Sequence, residues 1–150
     1  MKLPFGFRFE ETMAGTWSDG RGAERPIRFT VHARSTDLGQ TLRDGTVELD
    51  GTIEAEGLVA HAPARGTMLL LPLTKGIIRY ELAFTGDDGK PYRLEGQKEL
   101  RVADLAHTLT TLPAVIVHGD SGAETGRAML RFDTKNDLLG FLSSWKPLVS

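Results

Sequence analysis

At 150 residues the chain has the length of one domain, spanning 1–150, and a chain of that size buries roughly 68–70% of its unfolded surface around a single core. It has no cysteine, which excludes a disulfide framework, a thiolate metal site and a cysteine nucleophile. Its 18 Lys and Arg against 20 Asp and Glu give a formal charge of −2, without the basic excess that binding nucleic acid or an anionic membrane calls for.

The N-terminal "MKLPFGFRFEE" has one lysine and no apolar run of signal-peptide length. The longest apolar run, "MLLLPL", is far below the roughly 18 residues that span a bilayer. A cytoplasmic protein without membrane insertion is the expectation. Period-two alternation then dominates the chain. The first strand covers about Phe5 to Trp17, with Phe5, Phe7, Phe9, Met13 and Trp17 on one face and Glu11 among them. "SDGRG" turns the chain. "RPIRFTVHAR" puts Ile27, Phe29, Val31 and Ala33 inward, and "TVELDGTIEAEG" does the same with Val47, Leu49, Ile53 and Ala55. "LVAHAPARG" reads as a short irregular strand, and "TMLLLPL" as a separate strand covered on both faces. "GIIRYELAF" directs Ile78, Tyr80, Leu82 and Phe84 inward, and "TGDDGK" is a turn. "PYRLEGQKELR" aligns Tyr92, Leu94, Gly96, Lys98 and Leu100. "TLTTLPAVIVHG" and "GRAMLRFD" complete the set, with "DSGAETG" between them.

That makes an all-β domain, an antiparallel barrel or barrel-like sandwich of about nine strands joined by short turns. Three helical pieces punctuate it. "STDLGQTLRDG" pairs Leu38 with Leu42 and stops at Gly45; "ADLAHTL" is shorter; "TKNDLLGFLSSW" has an apolar stripe ending at Pro147, and reads as a C-terminal capping helix.

Two charges stand where alternation calls for apolar side chains, Glu11 and Lys98. A lone buried charge costs several kcal/mol, so each must be paired, neutralised or hydrated. If their strands are neighbours, the two pair inside the barrel. Three readings stay open: a bulge or strand end turns one of them outward, the pair is architectural, or both anchor a ligand in a cavity. His32, His61, His107 and His118 lack metal-ligand spacing. No nucleophile elbow, EF-hand, P-loop or dinucleotide fingerprint is present, so no cofactor is implied.

Gly15-Thr16-Trp17 resembles the G-x-W near the start of lipocalins, fatty-acid-binding proteins and avidins. That resemblance implies a calycin-like barrel in which the Trp closes one end and an Arg from the last strand, here Arg131, stacks on it. The chain departs from it, because the strand precedes the motif and Ser35–Gly45 inserts an early helix. A broader resemblance runs through "FEETMAGTW", "YRLEGQKEL", "AHTLTTL" and "GRAMLRFDTKNDLLGFLSSW". These are similar to the accessory β-domain fused to bacterial glucose-methanol-choline oxidoreductases related to cholesterol oxidase. The matching positions are Phe9, Glu11, Met13, Gly15, Gly96, Lys98, Thr110, Thr111, Leu112, Arg131, Asp137 and Leu138. The flavin domain is absent from the sequence, so its redox activity is not carried over, and what the resemblance implies is association with apolar, lipid- or sterol-like molecules or with a partner oxidoreductase. Glu11 and Lys98 would be the polar anchors of such a ligand, with Trp17, Tyr80 and Tyr92 as walls. The alternatives are a cofactor-free cyclase or isomerase with Glu11 as general acid or base, and a filled structural or interaction domain. Exposed sheet edges would leave oligomerisation open.

Overall fold

In the computed structural model, residues 7–35, 46–71, 77–99, 101–132 and 146–147 are described. Eight strands run up and down in chain order: β1 (Phe7–Ser18), β2 (Arg25–Ser35), β3 (Thr46–Ala55), β4 (Val59–Leu71), β5 (Ile77–Thr85), β6 (Pro91–Glu99), β7 (Thr111–His118) and β8 (Glu124–Phe132). Each pairs antiparallel with the next, and β8 returns to β1, so the sheet closes into an eight-stranded barrel. Closure pairs each of the eight on both sides, which removes the open edge through which sheets associate. A two-residue β9 (Lys146–Pro147) adds to the start of β1 at Phe7 and Arg8.

Two differences from the sequence expectation have local causes. The segments read as two strands, "LVAHAPARG" and "TMLLLPL", form the single 13-residue β4. Pro63 is tolerated within it because it sits outward, beside the register shift on β3 between Ile53 and Ala55, where the ladder is already irregular. "ADLAHTL" is helical, as a 3-10 turn at Val102–Asp104 leading into α1 (Leu105–Thr110), so β7 starts only at Thr111. There the buried Thr108 hydroxyl donates to the Asp104 carbonyl at 2.9 Å and accepts the Arg101 amide at 3.2 Å, tying the turn to the strand before it. The other two expected helices, over 35–45 and 134–145, lie outside the described residues except for Ser35, which ends β2.

Alternation builds the core as expected. Phe29, Val31, Ile53, Tyr80, Leu82, Leu94, Leu112, Ile116 and Leu130 are fully buried inside the barrel. Arg28, His32, Glu48, Asp50 and Arg65 are exposed on the outside. Among the described residues no helix is long and apolar enough to cross a membrane.

The two barrel ends differ. One is closed by the tight connections 19–24, 56–58, 86–90 and 119–123; at the other, the helical segment 102–110 leads into β7. Gly89 adopts φ 80° in the first kind, a conformation that only glycine takes without strain. Where β1 lies between β2 and β8, Gly15 brings the backbones together: a side-chain carbon there would collide with the Met129 carbonyl.

Candidate functional site

Glu11 faces inward because it shares the odd phase of β1 with Met13 and Trp17, and it is 1% exposed. One carboxylate oxygen, Oε1, accepts the Tyr80 hydroxyl at 2.7 Å; the other, Oε2, accepts the Lys98 ammonium at 3.2 Å. Both charged side chains are wholly shielded from solvent. The Lys98 Nζ also stands over two rings, 5.1 Å from the centroid of Tyr80 and 4.9 Å from that of Phe132, a favourable placement for a cation.

The pair forms, but not between neighbouring strands. In the closed sheet β7 and β8 lie between β6 and β1, so Glu11 reaches across the lumen to β5 and β6. Inward side chains of an eight-stranded barrel meet through its middle, which makes a cross-lumen contact available without strand adjacency. Gly96 stands opposite Tyr80 in the β5–β6 register, and the space its side chain would take is held by Leu112 and Ala114.

The cluster's protonation is set by its dryness. Burial raises the Tyr80 phenol well above its ordinary value, and the Glu11 charge and hydrogen bond act in the same direction. Burial lowers the Lys98 ammonium, while Glu11 opposes that shift. The carboxylate is the shared acceptor of the cluster, taking the phenol on one oxygen and the ammonium on the other.

Trp17 and Tyr92 are not part of this cluster. They close the opposite, tight-turn end. The Trp17 indole donates to the Glu56 carbonyl at 3.1 Å, tying β1 to the β3–β4 turn. The cation on its ring is Arg25, at 5.9 Å, and not Arg131, which is exposed on the outer face of β8. The Tyr92 hydroxyl donates to Asp88 at 2.6 Å, and its ring packs between Phe84 and His118. That bond to Asp88 raises the Tyr92 phenol to about 12 and lowers the Asp88 carboxyl. His32 and His61 pair at the surface with Glu10 and Glu54. Among the described residues no group of His, Cys, Asp or Glu could hold a metal ion.

The feature that the sequence reading missed lies outside the barrel. A cleft of about 1050 Å³ runs over the outer face of β5, β6, β7, β8 and β1. Its floor is apolar: Met129 pairs with Pro113 in the β7–β8 register, and Val115 is one outward position further along β7. Met129 is 44% exposed, the one exposed large hydrophobic among the described residues. Its signal in the sequence was the outward phase of "RAMLRF", where Met129 stands between Arg127 and Arg131. Two further clefts, of about 460 and 470 Å³, also lie at the barrel's outside.

Comparison with protein-family models, with curated proteins and with solved structures returns no match to this chain.

Proposed function

We propose that this barrel is a non-enzymatic binding module that engages a partner protein through the outer face of β5–β8 and β1, with the lumen as its rigid scaffold. The observation that carries this reading is the contrast between inside and outside. The lumen charges are shielded and paired with each other, whereas the large cleft and the exposed Met129 are on the outer surface. Contiguous apolar surface rimmed by polar residues marks interaction sites, and Met129, Pro113 and Val115 form a small strip of that kind. The resemblance to an oxidoreductase accessory module supports an oxidoreductase as the partner.

A second reading places an apolar ligand in the lumen, with Glu11, Lys98 and Tyr80 as anchors. It is favoured by one observation: three polar groups are concentrated inside an otherwise apolar core. Acid–base catalysis by Glu11 requires substrate contact at a side chain that has no solvent exposure, so the geometry lends it no support.

Native mass spectrometry and thermal shift separate the first two. The outer-face reading expects a ligand-free mass, no thermal shift from fatty acids or sterols, and binding of the neutral dye Nile red that is lost in Met129→Asp. A co-purified lipid, or a large shift with sterol that survives Met129→Asp, would transfer the function to the lumen.

A further inference from the structure

The outer cleft carries a charge pattern that its own fold does not resolve. Glu81 on β5 and Glu95 on β6 are direct cross-strand partners on the outer face, and like charges directly opposite each other are destabilising. Glu95 has an ion pair along its own strand with Arg93 at 3.3 Å. Glu81 has no ion pair among the described residues. Five carboxylates line the cleft, Asp19, Glu24, Glu81, Glu95 and Glu124, against the two guanidiniums of Arg79 and Arg127. Arg127 is ion-paired with Glu124 at 3.1 Å, and Arg79, held by the neutral Gln97 amide oxygen at 3.2 Å, keeps its charge; five carboxylates against two guanidiniums leave the lining three charges on the acidic side. The cleft therefore offers an apolar floor at Pro113, Val115 and Met129 beside an acidic wall.

We propose that this cleft recognises a cationic, apolar-bearing segment of the partner protein, with the Glu81–Glu95 pair receiving its lysine or arginine and the Met129 floor receiving the adjacent apolar side chain. The inference rests on the outer-face reading above and adds to it the chemistry of the partner. A cation placed between the two carboxylates converts a repulsive pair into an attractive triad, so the charge that weakens the free barrel favours the complex. An anionic segment loses the charge contact, and a segment without apolar side chains loses the floor contact.

The test is an amide NMR titration of the full chain with three synthetic amphipathic peptides of equal length, Lys/Leu, Glu/Leu and Lys/Ser. The Lys/Leu peptide is expected to shift Glu81, Glu95, Val115 and Met129. It should bind Glu81→Gln and Glu95→Gln each roughly two- to fivefold more weakly, the size of one exposed charge contact. Glu48→Gln, on the outer face of β3, should bind as the unsubstituted chain does. Should Glu/Leu bind the same face as tightly, the cationic requirement is overturned while the outer-face reading stands. Lys/Ser binding equal to Lys/Leu overturns the role of the apolar floor. Shifts confined to lumen residues, or none on this face with any peptide, overturn both readings.

Discussion

At the scale of residues, Glu11 and Lys98 are legible in the sequence: each breaks an apolar alternation, and dry charges must find partners. Their meeting across the lumen was not legible, because period two tells which face a residue takes and not how far round a closed sheet its partner lies. Tyr80 was read as a wall for the same reason, although its hydroxyl completes the cluster at 2.7 Å. The energetics give a definite expectation. Removing one charge strands the other, so Glu11→Gln or Lys98→Met should each destabilise the barrel by about 3–5 kcal/mol, while the apolar double variant Glu11→Leu/Lys98→Met recovers most of that loss. Urea denaturation of the four chains measures this; additive losses in the double variant would contradict it. Tyr80→Phe leaves one carboxylate oxygen without its donor and should cost about 1.5–3 kcal/mol.

The same cluster sets an alkaline limit. Tyr80 has a raised folded pKa, so its contribution is complete below the unfolded value of about 10 and is lost as pH climbs above it. Lys98 has a lowered one, so its penalty is present at neutral pH and fades as pH rises towards about 10.5. The chain has two tyrosines, and both are shifted upward, Tyr92 to about 12. Ultraviolet titration of the native chain should therefore show little tyrosinate at pH 10, where the urea-unfolded chain is about half ionised. Equal titration curves would show that neither phenol is held.

At the scale of elements, strands and turns came through where local chemistry decides them. "TGDDGK" contains the left-handed Gly89, and Gly89→Ala should cost about 1 kcal/mol or somewhat more, since alanine pays for a positive φ that glycine takes freely. β4 was split in the sequence reading because Pro63 and Gly66 carry breaker signals; pairing with β3 and β5 overrides them. Gly15 stood in "GTW", a motif that draws the eye to Trp17, yet its own role is the close approach to the Met129 backbone. Gly15→Ala must push β1 away from β8, and a loss of roughly 1–3 kcal/mol is expected in thermal unfolding. An unchanged midpoint would mean that β1 and β8 separate freely there.

At the scale of the whole molecule, the all-β class and the inward faces were readable from alternation, whereas the choice between a closed barrel and a barrel-like sandwich was not, since it depends on β8 meeting β1 at a separation of more than a hundred residues. The outer cleft escaped for a related reason. Met129, Pro113 and Glu81 lie on three strands, and only the register shows that they form one surface. That surface has a signature in the free protein. Relief of the like-charge pair should make Glu81→Gln more stable than the natural chain by about 0.2–1 kcal/mol, even as it weakens partner binding. A destabilised variant would indicate that Glu81 serves the fold.

The claim that the barrel works through its outside can be read most directly from its methionine methyl groups. Met13 and Met68 are buried in the lumen, at 0% and 1% exposure, while Met129 faces the cleft. With methyl-labelled methionine and the Lys/Leu peptide as ligand, the account predicts that the Met129 signal moves while those of Met13 and Met68 stay in place. Movement of Met13 and Met68 with a fixed Met129 would contradict it and locate binding in the lumen.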